Sequence, residues 1–367
     1  MKIGIDVRHL TGPFSGIPSY VLRNIKALEN GPDIEFIFLS DVKPSDIYNL
    51  KENDLRIYGK KLNHARQLSK YHRFICKVAE EEHLDLLWMT TTEIPNCKVK
   101  TLKTVVTVHD AIPITNPEFH DWIGRLRFRL HLKDVIKYAD GILYVSEWSK
   151  NIVNKLYSPK KIETVIPPII SEKIFVNKKI DESEDLNKIL GDEDHFLFFL
   201  GALGKRKGIF LIKEVAKINK GVKFVLAGRK TNDTETFLAD KPNNLISLEE
   251  ISDNERYLLL SKCDAFIFPS YAEGFGMPIV EAMLSGKIVI CSDLPIFKEI
   301  TEGNAIFFKT GNVNDFSQVI AKFYSMSQEE KEKMIKRGLE ISKRYSEEVV
   351  KNKLISFFSQ ILSEGKR

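Results

Sequence analysis

The sequence predicts an α/β protein built from two doubly wound parallel sheets. Short apolar runs such as Phe196–Leu200 and Ala265–Phe268 are typical of parallel strands that are buried on both faces. Amphipathic helical stretches alternate with these runs in both halves of the chain, which is the pattern of βαβ units. The chain of 367 residues is long enough for two such domains, each with its own core.

The first half of the chain contains a series of predicted strands. They are Lys2–Val7, Glu35–Leu39, Leu84–Met89, Thr104–Val108, Gly141–Ser146 and Glu163–Pro167. A helix over Tyr20–Leu28 follows the first strand, and residues 66–83 of the polar segment 41–83 predict a second amphipathic helix. Residues 1–170 are therefore placed in an N-terminal domain.

The second half repeats the alternation after a predicted linker, which the Pro167–Pro168 pair and the polar stretch 171–194 indicate. The strands predicted beyond the linker are Phe196–Leu200, Lys223–Ala227, Leu245–Leu248, Ala265–Phe268, Lys287–Cys291 and Ile306–Phe308. Residues 171–345 form the predicted C-terminal domain. A helix with an apolar face is predicted after it, over Glu347–Leu362.

Composition and cysteine usage favour a globular protein of the cytoplasm. Hydrophobic residues make up 43% and charged residues 29% of the chain, and no run of about 18 apolar residues predicts a membrane-spanning helix. Met1 leads directly into a strand, so we expect no signal peptide. The cysteines, which are Cys76, Cys97, Cys263 and Cys291, lack metal-ligand spacing. We expect reduced core residues rather than a disulfide framework.

The net charge of +5 is confined to the first half of the chain. Residues 1–175 hold 26 Lys and Arg against 21 Asp and Glu, whereas the remainder holds 29 of each. The basic segment 125–133, RLRFRLHLK, belongs to this half. The excess fits attraction to anionic lipid at the inner membrane face or to a phosphorylated acceptor. It also fits a solvated surface whose long side chains cover apolar groups.

The stretch Ala265–Ser292 predicts a strand, a glycine turn and a helix. Gly274 and Gly276 lie in the turn, which places backbone N–H groups and a positive dipole end at the carboxyl edge of a sheet. Glu273 precedes these glycines and Glu281 is predicted in the first turn of the helix, so a ligand lying across the turn can touch both carboxylates. Alternatively, Glu281 only complements the helix dipole.

The loop Gly201–Gly208 holds Lys205, Arg206 and Lys207 between glycines at a predicted helix N-terminus. Three cations beside helix-terminal amides suit a diphosphate, and arginine adds bidentate contacts. The loop lacks the spacing of a Walker A motif. Its cations also fit an ordinary solvated loop.

Two further candidate residues follow predicted strands. His109 stands at the carboxyl end of Thr104–Val108, where open α/β sheets bind ligands, although a histidine there can be purely structural. Gly16 lies in the loop after the first strand. That loop lacks the G-x-G-x-x-G fingerprint of a dinucleotide site.

These motifs resemble those of retaining glycosyltransferases with the GT-B fold, of the family-4 type called glycosyl transferases group 1. EGFGMPIVEA at 273–282 resembles the E-x7-E signature, RKG at 206–208 the phosphate motif, and TVHD at 107–110 the T-V-H-D pattern. The resemblance covers essentially the whole chain. Pro18 and Ala202 depart from it, since related sequences often carry glycine and arginine at these places.

The resemblance implies a role for each candidate residue. Glu281 would hold the ribose hydroxyls of a nucleotide, and Glu273 with the amides of the glycine turn would hold the donor sugar. The implied donor-binding residues are Gly16, Gly201, Arg206, Lys207, Gly274, Phe275, Gly276, Met277 and Glu281. The implied catalytic residues are Glu273, His109, Arg206 and Lys207.

The GT-B fold that the resemblance implies has two Rossmann-like domains facing each other across a cleft, and a final helix, here 346–367, that returns to the first domain. The resemblance also places a helix at 125–133, where the alternation of charged and apolar residues alone suggests a strand. The implied reaction moves a sugar from a nucleotide-diphosphate sugar to an acceptor hydroxyl, with retention of configuration and without metal or other cofactor. The expected acceptor is a glycan or lipid-linked glycan of bacterial capsule, lipopolysaccharide or exopolysaccharide, and no nucleic-acid partner is expected.

Three other functions stay open at the level of sequence. A glycoside hydrolase would use Glu273 and Glu281 as acid and base, but it would have no use for a basic phosphate loop. A non-catalytic nucleotide-sugar-binding partner would keep Glu281 and Lys207 without turnover. A GT-B sugar-nucleotide epimerase is the third.

Overall fold

The computed structural model describes residues 1–11, 16–29, 34–62, 65–159, 161–170 and 195–364. The chain divides into two compact units: unit 1 is Met1–Ile169 with Glu347–Arg367, and unit 2 is Ile170–Ser346. Each unit contains one parallel sheet, which confirms the predicted class of two doubly wound α/β sheets. The predicted linker 171–194 lies outside the described residues.

The sheet of unit 1 has seven strands. They are β1 (Lys2–Asp6), β2 (Glu35–Ser40), β3 (Leu55–Ile57), β4 (Leu86–Met89), β5 (Lys103–Val108), β6 (Gly141–Tyr144) and β7 (Ile162–Val165). All are parallel, in the order β3-β2-β1-β4-β5-β6-β7. Strand β3 is not among the predicted strands, because a three-residue, partly exposed edge strand gives no pattern in the polar segment 41–83.

Five helices of unit 1 precede unit 2 in the described chain: α1 (Gly16–Glu29), α2 (Ala65–Glu81), α3 (Ile112–Thr115), α4 (Trp122–Tyr138) and α5 (Glu147–Tyr157). Helix α1 begins before the predicted Tyr20, because Pro18 is compatible with the first turn of a helix. Segment 125–133 is helical and not a strand. It follows the N-cap Asp121, whose side chain accepts a hydrogen bond from the Gly124 amide.

Unit 2 contains a six-stranded parallel sheet. Its strands are β8 (Phe196–Leu200), β9 (Lys223–Ala227), β10 (Leu245–Ser247), β11 (Ala265–Phe268), β12 (Ile288–Ser292) and β13 (Ile306–Phe308). Their order is β10-β9-β8-β11-β12-β13. The helices are α6 (Ile209–Ile218), α7 (Thr234–Leu238), α8 (Asp253–Lys262), α9 (Met277–Leu284), α10 (Pro295–Ile300), α11 (Val313–Ser325) and α12 (Gln328–Ser342).

In both sheets the chain starts near the middle and later changes its direction of winding. In unit 1 it runs from β1 outward to β3 and returns to β4, which pairs with the other edge of β1. In unit 2 it runs from β8 to β10 and returns to β11, beside β8. Since crossovers are right-handed, the helices after the two central strands lie on opposite faces. The loops between them open a crevice at the carboxyl edge, where ligands bind in such sheets.

Helix α13 (Glu347–Ser363) follows unit 2 in sequence but packs in unit 1. Its Phe358 ring is fully buried, with its centroid 5.5 Å from that of Trp88 on β4. A Cβ at Gly141 on β6 would lie 2.5 Å from Cδ1 of Ile361. The helix therefore lies directly against the centre of the unit 1 sheet.

The expectation that all the cysteines are reduced is wrong for one pair. Cys76 on α2 and Cys97 after β4 form a disulfide, with their Cα atoms 5.0 Å apart. Their separation of 21 residues corresponds to no motif that would predict a disulfide. The pairing depends on how α2 packs beside the segment after β4. Cys263 and Cys291 are free and buried. Disulfides belong to oxidising compartments, so the cysteines give no support to the expected cytoplasmic location.

Within the part of the chain that the structure describes, no helix has both the length and the apolar character needed to cross a bilayer.

The packing of α13 predicts the effect of one core substitution. Phe358→Ala should lower the free energy of unfolding of unit 1 by about 3–5 kcal/mol, because it leaves a cavity beside Trp88. Val349→Ala, on the exposed side of the same helix, should change it by less than about 0.5 kcal/mol. Urea unfolding followed by Trp fluorescence measures both, and similar effects of the two substitutions would contradict the packing.

Candidate active site

The predicted phosphate loop and the predicted glycine turn leave neighbouring strands of unit 2. Residues 201–208 follow β8, residues 269–276 follow β11, and these two strands pair directly. Because the winding of the sheet changes between them, both loops border the crevice of unit 2. Helices α6 and α9 begin where the two loops end. Two helix N-termini, with their unsatisfied N–H groups, therefore meet the same edge of the sheet.

Two hydrogen bonds and one close backbone approach hold the two loops together. The amide of Tyr271 donates a hydrogen bond of 2.9 Å to the Arg206 carbonyl, and Nη1 of Arg206 donates to the Ala272 carbonyl. Gly208 has a φ of 77°, and a Cβ at this position would lie 2.1 Å from the Pro269 carbonyl oxygen. Only glycine permits this approach, because both the backbone conformation and the space exclude a side chain.

Two cations and one carboxylate meet between these loops. Nζ of Lys207 lies 2.6 Å and Nη1 of Arg206 lies 3.3 Å from Oε1 of Glu273. The Glu273 side chain is 9% exposed, and Lys207 also lies over the Phe268 ring, 5.1 Å from its centroid. With both cations charged and the carboxylate ionised, the cluster has a net charge of +1. It can therefore attract an anionic ligand.

Burial acts differently on the members of this cluster. It favours a neutral Glu273, but the charges of Lys207 and Arg206 outweigh it and hold the pKa of the carboxyl below its ordinary value. Burial lowers the pKa of the Lys207 ammonium, the attraction of Glu273 opposes that shift, and the neighbouring Arg206 adds to it. The difference arises because Glu273 faces two opposite charges, whereas Lys207 faces one opposite and one like charge.

The glycine turn continues into α9 as the sequence indicates. Gly276, with a φ of 109°, caps the helix, and Met277 is its first residue. Phe275 points into the core, where its ring packs edge-on against Tyr345 with centroids 5.5 Å apart. Gly274 directly follows Glu273 in the turn. The turn can therefore offer a ligand its backbone, while the Phe275 side chain serves packing.

Glu281 lies in the second turn of α9, not in the first turn as expected, because the helix already begins at Met277. Its side chain is 4% exposed, and Oε2 lies 3.8 Å from Nη1 of Arg256 on α8. Nε of Arg256 is buried and has no hydrogen-bond partner among the described residues. Sequence reasoning missed Arg256, which belongs to no motif and meets Glu281 only through the packing of α8 beside α9.

Gly201 stands where β8 ends, and its amide donates a hydrogen bond of 2.9 Å to the Ala227 carbonyl. A Cβ at Gly228 would lie 1.9 Å from the Gly201 carbonyl oxygen. The loops after β8 and β9 are thus also in close contact. Gly201 therefore helps to position the loop 201–208 against the loop after β9.

The remaining candidates lie in unit 1. Nε2 of His109 is 2.8 Å from the Thr90 carbonyl oxygen, and its ring meets the Tyr20 ring edge-on at 4.9 Å. Burial lowers the pKa of His109 to about 4, so the imidazole is neutral near pH 7. Since a carbonyl only accepts, Nε2 carries the proton and Nδ1 is an acceptor. Gly16 is the exposed first residue of α1.

A pocket of about 290 Å³ surrounds His109. Its polar lining comprises Thr91, Thr92, Glu93, His109, Asp110, Arg127 and His131. These residues follow β4 and β5 or lie on α4, beside the crevice of unit 1. The rest of the lining is Ile17, which is next to Gly16, with Pro113, Gly124 and Phe128. The size suits a small polar ligand such as one sugar ring.

Glu93 is the anionic centre of this pocket. It lies 2.8 Å from Nη2 of Arg8, which also pairs with the buried Asp6 at 2.8 Å. His72 and His131 come within 4 Å of the carboxylate. Burial would raise the pKa of Glu93, but these partners hold it well below its ordinary value. Sequence reasoning missed Glu93, although the carboxyl-edge rule applied to the predicted strand Leu84–Met89 points to the loop that contains it.

The structure therefore groups the candidate residues in three places. Arg206, Lys207 and Glu273 are in contact, Glu281 pairs with Arg256, and His109 lines the pocket of unit 1. In the described ranges, no three His, Cys, Asp or Glu side chains are arranged to hold a metal ion.

Comparison with known proteins agrees with these features. Residues 181–340 match the family model "Glycosyl transferases group 1". The O-antigen chain mannosyltransferase RfbU of Salmonella typhimurium is 28% identical over 222 residues, an alignment that spans 59% of this chain and 59% of RfbU. O-antigen chain mannosyltransferase B of Escherichia coli is 23% identical over 94% of this chain and 96% of its own length.

A solved structure shows the same fold over nearly all of the chain. Anabaena HepE in complex with UDP-glucose superimposes with a TM-score of 0.78 at 19% identity, covering 98% of this chain and 100% of HepE. The parallel sheets, the motif loops of unit 2 and the family match lead to one conclusion: the protein has the GT-B fold and carries a glycosyl transferases group 1 domain over residues 181–340.

Proposed function

We propose that the protein is a retaining glycosyltransferase that moves a hexose from a nucleotide-diphosphate sugar to a hydroxyl group of a glycan acceptor. Unit 2 binds the donor, and the pocket of unit 1 binds a hydroxyl-rich group. The product is part of a surface polysaccharide such as an O-antigen, capsule or exopolysaccharide. The transfer needs no metal ion.

The cation cluster of unit 2 carries this proposal. Arg206 and Lys207 outnumber the single carboxylate of Glu273, and the N-termini of α6 and α9 add positive potential at the same crevice. The negative charge of a diphosphate is complementary to this positive arrangement. That negative charge increases as the glycosyl bond breaks. Cations already fixed in place stabilise that charge without reorganisation.

The proposed chemistry follows from the loss of the diphosphate. The bond between the anomeric carbon and the phosphate oxygen breaks, and the sugar passes through an oxocarbenium-like state. The acceptor oxygen then bonds to the anomeric carbon on the face that the phosphate leaves, and the departing phosphate takes the acceptor proton. No carboxylate nucleophile is required, so Glu273 serves to orient the sugar hydroxyls and Lys207.

The unit 1 pocket supports a neutral, hydroxyl-bearing ligand. His109 is uncharged near pH 7 and offers Nδ1 as a hydrogen-bond acceptor, and Glu93 offers an ionised carboxylate. Both groups accept hydrogen bonds from sugar hydroxyls. The carboxylates of Glu93 and Asp110 outnumber the Arg127 cation in the lining, which therefore fits a sugar ring better than an anionic group.

The names of relatives support the substrate class. RfbU and mannosyltransferase B are described as O-antigen chain mannosyltransferases, and HepE was solved with UDP-glucose. Mannose and glucose donors carrying GDP or UDP are therefore the first to assay with this protein. Transfer to an oligosaccharide, with the anomeric configuration of the product read by NMR, tests the proposal directly.

Removal of Lys207 should separate diphosphate recognition from nucleoside recognition. Lys207→Ala should weaken nucleoside-diphosphate binding by about 30- to 1000-fold and abolish transfer, because a partly buried charge contact is lost. Nucleoside binding should change little. Lys205→Ala removes an exposed charge from the same loop and should change diphosphate affinity by less than about threefold. Calorimetry measures these affinities, and an unchanged diphosphate affinity in Lys207→Ala would contradict the assignment.

The two glutamates should differ in what they bind. Glu281→Gln should weaken nucleoside-diphosphate binding by about 10- to 100-fold, because a charged hydrogen-bond acceptor for the ribose is lost. Among the described residues, Glu273 is the carboxylate that pairs with Arg206 and Lys207, and Glu273→Gln removes its charge. It should therefore leave diphosphate binding at least as tight while transfer falls.

Titrations with nucleoside diphosphate and with nucleotide sugar, together with initial rates, test this division of roles. Unfolding curves of both variants provide the control, because Glu281 also pairs with the buried Arg256. Equal weakening of diphosphate binding by the two substitutions would show the division to be wrong. A collapse of hydrolysis of a free glycoside in both variants would instead indicate a glycoside hydrolase.

Metal removal should leave transfer intact. Arg206, Lys207 and two helix N-termini already provide positive charge to stabilise the leaving group. The rate in excess EDTA should therefore stay within about twofold of the rate without EDTA. Initial rates with and without EDTA measure this. Complete loss in EDTA, with recovery after Mg²⁺ or Mn²⁺ is added, would overturn metal-independent transfer.

A further inference from the structure

A buried pair of opposite charges joins helices α8 and α9 of unit 2. Nη1 of Arg256 on α8 lies 3.8 Å from Oε2 of Glu281 on α9. The Arg256 side chain is 13% exposed and the Glu281 side chain is 4% exposed. A carboxylate that is buried to this extent is costly unless a cation offsets its charge. Arg256 supplies such a cation.

This ion pair is compatible with a ligand that donates hydrogen bonds to the carboxylate. At 3.8 Å, Nη1 of Arg256 and Oε2 of Glu281 attract each other but lie beyond hydrogen-bond distance. An ionised carboxylate has about four lone-pair sites. Glu281 can therefore accept hydrogen bonds from two neighbouring hydroxyl groups while its charge remains paired with that of Arg256.

The start of α8 fixes the position of Arg256. Ser252 and Glu255 form a capping box, in which the Ser252 hydroxyl accepts from the Glu255 amide and the Glu255 carboxylate accepts from the Ser252 amide. Arg256 is the next residue, and its Nη2 lies 2.9 Å from Oδ1 of Asp253. The guanidinium group is therefore held on a rigid first turn before any ligand binds.

Arg256 occupies this position at a cost to stability. Its Nε is buried and lacks a hydrogen-bond partner within the described ranges, and an unsatisfied buried donor destabilises the folded state. An apolar side chain of similar volume would fill the space beside α9 without that penalty. Packing alone therefore does not explain an arginine at this position, whereas its charge next to Glu281 does.

We propose that Arg256 is a positioning residue that holds Glu281 ionised and oriented for the 2′- and 3′-hydroxyls of the donor ribose, and that it thereby makes the site selective for ribonucleoside diphosphates over their 2′-deoxy forms. This inference rests on the proposed function, in which Glu281 binds the ribose. A 2′-deoxyribose leaves a buried carboxylate short of one donor, and sites built around a substrate hydroxyl reject analogues that lack it. The donor is therefore a sugar carried by UDP or GDP rather than by dTDP.

Calorimetric titration of the full chain with UDP, 2′-deoxy-UDP, GDP and 2′-deoxy-GDP tests the inference. With the base that binds more tightly, the unmodified protein should prefer the ribonucleotide by about 10- to 100-fold. Arg256→Met keeps an apolar stem but removes the charge, so it should reduce this preference to about threefold or less by weakening ribonucleotide binding. Arg256→Lys restores a cation without the planar fork and should keep the preference above about fivefold.

The preference is a ratio of two affinities measured on one variant. Partial unfolding changes both affinities by the same factor, so the ratio separates ribose recognition from a loss of stability. Arg337→Met removes an exposed arginine from α12 and should keep the full preference. The double variant Arg256→Met, Glu281→Gln replaces both members of the ion pair. Its preference should equal that of Glu281→Gln alone, because Arg256 acts through Glu281.

Three outcomes would overturn the role of Arg256. They are an unchanged preference in Arg256→Met, a further loss of preference when Arg256→Met is added to Glu281→Gln, and equal affinity of the unmodified protein for the ribose and 2′-deoxyribose forms. The proposed function fails in a different experiment. A protein that shows the expected preferences but transfers no sugar from any donor would refute transfer and leave the role of Arg256 in ribose recognition intact.

Discussion

The close approach of Gly208 to the Pro269 carbonyl is the constraint on which the unit 2 site depends. It brings the loop after β8 against the loop after β11 at a position that has no room for a Cβ. Because of it, Arg206 and Lys207 in one loop share the carboxylate of Glu273 in the other. The ion pairs of the site thus depend on an uncharged backbone contact that only glycine allows.

The two units use the same topology for different chemistry. In each, the change in winding opens a crevice between two central strands, and loops at the carboxyl ends supply the side chains. Unit 2 fills the crevice with cations in excess, which suits an anion. Unit 1 fills it with Glu93 and a neutral His109, which suit hydroxyl groups. The same fold can therefore carry sites for ligands of different charge, and the loops determine which ligand each site suits.

The sequence predicts those parts of the structure that local pattern determines. Buried apolar runs such as Phe196–Leu200 and Ala265–Phe268 form strands at the expected residues, since parallel strands leave a continuous signal. The meeting of Lys207 with Glu273 also has a local basis, because both loops follow predicted strands. The roles assigned to these residues in catalysis stay predictions.

What depends on tertiary packing could not be predicted. The Cys76–Cys97 disulfide and the Arg256–Glu281 pair join segments with no shared motif. The short edge strand β3 is too weakly patterned to recognise. Helix α4 shows the opposite case: its alternating charges suggest a strand, yet it forms a helix that is apolar on two sides, and a pattern of that kind has no single period.

The position of α13 has a consequence for how the protein acquires its structure during synthesis. Residues 1–169 leave the ribosome first, but Phe358 and Ile361, which cover Trp88 and Gly141, are made after all of unit 2. Until then the central strands of unit 1 lack their cover. At a translation rate of about 5–20 residues per second, that interval lasts on the order of ten seconds or more. The early half of the chain is therefore the half that finishes folding last, and it is the half exposed to chaperones and to aggregation in the meantime.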